Sequence, residues 1–98
     1  MAMYTWEGNV AGKRRGDELW SYSGEHRGRF VDAEVFSADG SYMGELRTSR
    51  LLTVIAKKGA RSIEPYDPPR PRRGSVPPVG VIGRVLPAGC EDFPPDPN

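Results

Sequence analysis

His26 is the side chain best suited to acid–base chemistry, because it is the only histidine in the sequence and an imidazole titrates near neutral pH. The carboxylates of Glu25, Asp32 and Glu34 lie nearby in the sequence. No nucleophile or second histidine accompanies them, so a catalytic group is not complete. We therefore expect His26 to be an exposed or hydroxyl-bonded residue across a hairpin from Ser21, and we predict that the protein is not an enzyme.

Basic residues form two short runs, Lys13-Arg14-Arg15 and Arg27-Gly28-Arg29. Positive charge beside aromatic side chains is the combination that single-stranded nucleic acid binding uses. However, carboxylates interrupt these runs, and the net charge is only +1 with a pI of about 7.9. We expect most of these charges to pair with one another, which makes nucleic acid an improbable partner. Binding of single-stranded nucleic acid or a peptide is the alternative function.

The segment from Pro65 to Arg70 has the P-x-x-P-x-R pattern that aromatic grooves recognise in partner proteins. Such patterns are frequent by chance in chains rich in proline and arginine. We expect this segment to pack along its own subunit or a neighbouring one instead.

Cys90 is the only cysteine, so an internal disulfide is impossible, and one histidine with one cysteine does not make a zinc site. The adjacent Glu91 and Asp92 disfavour a thiolate, which predicts an inert thiol. The sequence thus indicates no metal and no cofactor. The N-terminal residues lack the pattern of a targeting signal, and the apolar runs are too short for a membrane span, which favours a cytoplasmic protein.

The chain divides at Glu64, because all ten prolines follow it. We predict a β-hairpin repeat domain over residues 1–63 and a Pro-rich extended arm over residues 64–98, since proline removes backbone donors from a sheet. Within the arm, the apolar run Val79–Leu86 is expected to be one more strand or an ordered extended segment.

The first half contains a repeat of sixteen residues. Three rows begin at Met3, Leu19 and Val35, each with an aliphatic, an aromatic and a hydroxyl residue in its first three columns. Every row has glycine at its sixth position and again four positions later; these glycines are Gly8, Gly24 and Gly40, and then Gly12, Gly28 and Gly44. A fourth row from Leu51 lacks both glycines and is expected to be a degenerate unit or a capping strand.

The first glycine of each row predicts a two-residue hairpin turn, formed by Glu7-Gly8, Ser23-Gly24 and Asp39-Gly40. This register places the second glycine opposite the aliphatic column, for example Gly44 opposite Val35. There, glycine either lets another strand or chain approach closely or marks a β-bulge.

Strand alternation predicts two apolar faces. One contains Met3, Leu19, Val35, Phe30 and Leu46. The other contains the aromatic residues Trp6, Trp20, Tyr22 and Phe36. Because a 98-residue chain buries only a modest core, we expect these aromatic side chains to form an interface between copies of the chain.

The pattern aromatic-Ser/Thr-x-x-Gly-x-x-x-Gly, clearest between Tyr4 and Leu46, resembles the four-fold β-flower family of small bacterial proteins. The resemblance implies hairpin petals arranged about an axis, no established activity and no catalytic residues, and it suggests a tetramer. The four-fold character could equally arise within one chain. The tail departs from the family pattern in being irregular and rich in arginine.

Together these observations predict an all-β fold of hairpins in a compact radial or barrel-like arrangement. The expected function is that of a non-enzymatic protein that assembles into a homo-oligomer.

Overall fold

The protein is all-β. The computed structural model describes residues 1–97, in which eight antiparallel strands follow one another in chain order through a single sheet. The strands are β1 (Ala2–Tyr4), β2 (Val10–Arg15), β3 (Glu18–Trp20), β4 (His26–Val31), β5 (Glu34–Phe36), β6 (Tyr42–Arg47), β7 (Arg50–Val54) and β8 (Cys90–Asp92). A short 3-10 helix, Ile55–Lys57, follows β7.

The sheet curls into a half-barrel and nearly meets itself. β1 reaches β7 at one point, where Thr5 and Leu51 form a parallel bridge and the Trp6 N–H donates to the Leu51 carbonyl at 2.8 Å. Away from this bridge, β1 has no ladder to β7. β1 and β7 therefore separate beyond this point.

The core lies on the concave face of the sheet. It contains Met3, Ala11, Leu19, Phe30, Val35, Leu51 and Phe93, with Met43 and Leu46 packed against it. The aliphatic column and Phe30 occupy the face that strand alternation predicted for them. Phe93, which follows β8, is fully buried, so the end of the chain completes a core that the first seven strands leave open.

The loops that contain the first glycine of each row are three-residue loops. In the third of them, the Ser37 N–H donates to the Ser41 carbonyl at 2.9 Å, and the Gly40 N–H donates back to the Ser37 carbonyl at 2.9 Å. Gly40 has a φ of 90°, as the last residue of such a loop requires. The expected two-residue turns are wrong, and Phe36 pairs with Tyr42 because a bulge takes up the extra residue.

The second glycines lie opposite the aliphatic column, in the pairs Met3–Gly12, Leu19–Gly28 and Val35–Gly44. A Cβ on Gly12 would be 2.4 Å from the Trp20 carbonyl oxygen, and one on Gly44 would be 2.5 Å from the Leu52 carbonyl oxygen. The neighbouring strand therefore approaches these glycines too closely for a side chain, and a bulge follows each pair as well.

At the opposite end of the sheet, the strands are joined by two-residue turns that sequence reasoning missed. Thr48 and Ser49, between β6 and β7, have φ values of 42° and 70°, and Asp32, between β4 and β5, has a φ of 54°. Glycine, the usual signal for such turns, is absent from both.

No regular strand occurs between residues 64 and 89, so Val79–Leu86 is not an additional strand. The strand of the C-terminal region is β8, which pairs with β7 over Leu52–Val54. The segment from Ile63 to Val85, called the strap below, runs along the ends of the hairpins instead.

Candidate functional site

The strap contacts the three glycine loops in reverse order, and each contact uses the same pair of backbone hydrogen bonds. At the third loop, the Ile63 N–H donates to the Gly40 carbonyl and the Tyr66 N–H to the Ala38 carbonyl. At the second loop, the N–H groups of Arg72 and Ser75 donate to the carbonyls of Gly24 and Tyr22. At the first loop, the N–H groups of Val81 and Arg84 donate to the carbonyls of Gly8 and Trp6. The first donors, residues 63, 72 and 81, are nine positions apart, as are the second donors, 66, 75 and 84.

The loop glycines are buried beneath the strap. A Cβ built on Gly8, Gly24 or Gly40 would lie within 2.2 Å of a strap carbonyl oxygen, that of Val81, Arg72 or Ile63 respectively. Glycine is therefore needed at these positions both for a positive φ and for docking of the strap.

A small basic pocket lies where the strap crosses the second loop. Four cationic side chains line it, Lys13 and Arg15 from β2 and Arg72 and Arg73 from the strap, together with Trp20, Ser21, Gly24 and Ser75. Its volume is about 20 Å³, enough for one water-sized group. The Arg72 guanidinium lies 5.5 Å from the centre of the Trp20 ring, a distance at which the ring attracts the cation.

The ion pairs of residues 1–97 include none of these four cations within 4.0 Å of a carboxylate. The pairing of β1 with β2 explains this for Lys13. Glu18 faces Arg29 across the β3–β4 pair, whereas Ala2 occupies the equivalent place opposite Lys13. Without that carboxylate, Lys13 makes no ion pair with a residue of the described part of the chain.

Both arginines of the second basic run are engaged elsewhere, Arg29 by a carboxylate and Arg27 by backbone carbonyls. The Arg29 Nε donates to Glu18 Oε2 at 2.9 Å, while the Arg27 guanidinium donates to the carbonyls of Ala11 and Pro94 at 2.6 and 3.0 Å. Burial is the main reason that the pKa of Arg27 is lowered. Of the two predicted basic runs, only Lys13 and Arg15 contribute to the pocket.

His26 is bound to Glu18, with 2.7 Å between His26 Nε2 and Glu18 Oε1, and its side chain is 5% exposed. It pairs with Trp20 across β3 and β4, so its expected place opposite Ser21 is wrong, as is its expected exposure. Burial of Glu18 opposes ionisation, but hydrogen bonds from Arg29 and His26 outweigh burial and lower the pKa of this carboxyl. The ionised carboxylate is an acceptor only, so His26 Nε2–H donates the hydrogen bond to it.

A second polar cluster joins β6 to the 3-10 helix. The Tyr42 hydroxyl donates to Glu45 Oε1 at 2.9 Å and accepts the Val54 N–H at 3.1 Å, and Lys57 Nζ donates to Glu45 Oε1 at 2.7 Å. Burial, with a smaller contribution from Glu45, raises the pKa of Tyr42 to about 12. The pKa of Glu45 is lowered, because hydrogen bonds from Lys57 and Tyr42 outweigh the effect of its burial. This closed set of hydrogen bonds fastens the helix to the sheet.

The aromatic side chains expected at an interface are largely covered within one chain. Trp20 and Tyr22 are 4% and 7% exposed and Phe36 is fully buried. Trp6 is half-buried, and its Nε1–H donates to the Val85 carbonyl of the strap at 2.8 Å. An interface would therefore have to use other side chains.

The most exposed apolar side chains belong to the strap. Val76, Val79, Ile82 and Val85 are 86–93% exposed, and they recur at every third residue. These four side chains are called the apolar ridge below. It begins one residue after Ser75, at the rim of the basic pocket.

No family model matches this chain, and searches of curated proteins and of solved structures found no match to it. Within residues 1–97, no helix is long and apolar enough to cross a membrane. The same part of the chain contains no group of three or more His, Cys, Asp or Glu side chains placed to hold a metal ion.

Proposed function

We propose that this protein is a module that binds a peptide segment carrying a phosphoryl group followed by apolar side chains. The observation that carries the proposal is the basic pocket, in which four cations have no carboxylate partner among the described residues. A phosphoryl group concentrates a charge of about −1.5 to −2 on one small group, which arginine clusters recognise in partner peptides.

A peptide fits these surfaces better than nucleic acid does. The pocket has room for one water-sized atom group, such as a single phosphoryl oxygen, and the rest of the phosphoryl group would lie at its rim beside the four cations. The apolar ridge adjoins this rim, so the site combines concentrated charge with exposed apolar surface. A nucleic acid strand offers evenly spaced charges and bases that need stacking partners, and Trp20 is 4% exposed. The alternative function, binding of single-stranded nucleic acid, requires bases to stack on exposed aromatic side chains, and the buried Trp20 ring does not offer such a surface.

The test measures fluorescence anisotropy of a short labelled peptide with one phosphoserine followed by valines at every third position. The double variant Arg72→Gln/Arg73→Gln should weaken binding by about tenfold or more, because hydrogen bonds to charged groups contribute ~1.5–3 kcal/mol. Arg70→Gln is the matched control, since Arg70 is an exposed strap arginine that does not line the pocket.

The unphosphorylated peptide should bind at least tenfold more weakly than the phosphopeptide. Equal binding of the two peptides, or equal losses in the double variant and the control, would overturn the proposal. If oligothymidine binds and the phosphopeptide does not compete with it, the partner is nucleic acid instead.

A second candidate function is self-assembly into a homo-oligomer, which the apolar ridge favours because exposed apolar surface of this kind marks interaction sites. Light scattering measures the molar mass directly. A mass above that of one chain that falls to the monomer mass in Ile82→Asp, and not in Glu64→Lys, would support assembly through the ridge. A monomer at every concentration would exclude it and, with it, the tetramer that the family resemblance suggests.

We also propose that the sixteen-residue hairpin units and the nine-residue steps of the strap form one repeat architecture. Four antiparallel strand pairs lie within one chain, β1–β2 to β7–β8, and three of their loops bind the strap with the same donor–acceptor pattern. This organisation supports a four-fold character within a single chain, and an arm that packs on its own subunit.

A further inference from the structure

A cavity of about 350 Å³ lies between β1 and the β6–β7 hairpin, next to the hydrophobic core. Its lining includes Ala2, Met3 and Tyr4 of β1, Arg14 of β2, Leu46 of β6 and Ser49 of the β6–β7 turn. The cavity exists because β1 meets β7 only at the Thr5–Leu51 bridge. From there, β1 and the β6–β7 hairpin separate, and a wedge-shaped gap opens between them.

Most of the lining is apolar, and Met3 and Leu46 connect it to the hydrophobic core. Ligand pockets in proteins have volumes of about 300–1,000 Å³, with an apolar lining and a few polar groups that set the orientation of the ligand. The wedge has both properties, since Arg14, Ser49 and the phenol of Tyr4 supply the polar groups.

Arg14 is held in place by contacts that leave its terminal nitrogens without a hydrogen-bonded carboxylate among the described residues. Its guanidinium lies 3.9 Å from the centre of the Phe30 ring, and its Nε donates to the Gly16 carbonyl at 2.9 Å. The Asp17 carboxylate is 4.0 Å from its terminal nitrogen and is 79% exposed, so this contact is longer than a hydrogen bond. The terminal N–H groups can therefore bind a carboxylate.

We propose that the wedge binds a monocarboxylate with an unbranched apolar chain, such as a medium-chain fatty acid. The chain lies along Met3 and Leu46, and the carboxylate accepts hydrogen bonds from Arg14. At ~30 Å³ per carbon-sized group, the share of a water molecule in the liquid, the wedge accommodates a chain of roughly eight to ten carbons. This site is separate from the basic pocket, and the proposal does not depend on peptide binding there.

Isothermal titration with decanoate and with decanol tests the site, because the two molecules share a chain and differ in charge. Decanoate should bind about tenfold more tightly than decanol. Arg14→Met should remove that difference while leaving decanol binding unchanged, which also shows that the variant is folded. Arg15→Met, a change in the basic pocket, should leave both affinities unchanged and serves as the matched control.

Ala2→Phe should block both ligands by filling the mouth of the wedge, and Leu46→Phe should do the same from the core side. Loss of decanoate binding in Arg15→Met but not in Arg14→Met would place the anion in the basic pocket and overturn the proposal. Absence of decanoate binding to the unaltered protein, or unchanged binding in both filling variants, would overturn it as well.

Discussion

At the scale of single residues, glycine connects the hairpin loops to the strap. Gly24 has a φ of 98°, and a Cβ at this position would be 1.8 Å from the Arg72 carbonyl oxygen. Gly16 also has a positive φ, of 59°, but nothing lies within 4 Å of its Cβ position. Substitutions at these two glycines can therefore distinguish the cost of backbone strain, which both positions share, from the cost of displacing the strap, which arises only at Gly24.

We predict that Gly16→Ala lowers the free energy of unfolding by roughly 1 kcal/mol, the cost of left-handed backbone for alanine. Gly24→Ala should cost at least ~2 kcal/mol more, because it also displaces the strap and its hydrogen bonds. Denaturant unfolding of both variants measures the difference. Equal losses would show that the strap does not rest on this loop.

The buried Tyr42 hydroxyl makes stability depend on pH in the alkaline range. Its pKa is raised from 10.0 to about 12 in the folded protein, so the folded state holds the proton more tightly than the unfolded state. This contribution is fully present below pH 10 and is lost as pH rises through the folded value of about 12.

The variant Tyr42→Phe should lose about 1–2 kcal/mol at neutral pH, since Val54 N–H and Glu45 each lose a partner. Above pH 10 the difference in unfolding free energy between the unaltered protein and the variant should become smaller, because only the unaltered protein is destabilised by ionisation of Tyr42. Unfolding measured from pH 8 to 12 checks this, and the other tyrosines cancel in the difference. A free-energy difference that stays constant from pH 8 to 12 would contradict the raised pKa of Tyr42.

At the scale of elements, the strap is the part that the sequence does not reveal. Its hydrogen bonds come from backbone N–H groups at residues such as Ile63, Arg72 and Val81, whose side chains share no property. By contrast, the register between β5 and β6 could be predicted from residue type, because the aliphatic Val35 lies opposite Gly44. The basic pocket could not be predicted either, since Lys13 and Arg72 meet only through the path of the strap.

Proline substitution tests the strap by its backbone donors. The Val81 N–H donates to the Gly8 carbonyl at 2.8 Å, so Val81→Pro should lower the free energy of unfolding by about 1–3 kcal/mol. Ile82 is 88% exposed, and Ile82→Pro should change stability by less than ~0.5 kcal/mol, because proline suits an extended chain. If the two variants are equally stable in denaturant unfolding, the hydrogen bonds of the strap do not stabilise the fold.

At the scale of the whole molecule, charge and apolar surface are distributed unevenly although the net charge is only +1. Carboxylates at Glu18, Glu34 and Glu45 neutralise the cations around them. The cations of the basic pocket have no such partner within residues 1–97. The aliphatic column of the core and the positions of the glycine loops follow from residue type and spacing, whereas the burial of Phe93 does not. The proposed binding surface follows from the path of the strap across the hairpin loops.

The second hairpin loop and the strap together form the proposed binding site. Backbone amide NMR during titration with the phosphoserine peptide tests it most directly. We predict shift changes concentrated at residues 20–24 and 72–75, extending along the strap towards Val85, with little change at the equivalent contact of Ile63 with Gly40. Shift changes that spread evenly over all three loops, or that leave residues 72–75 unaffected, would contradict the account.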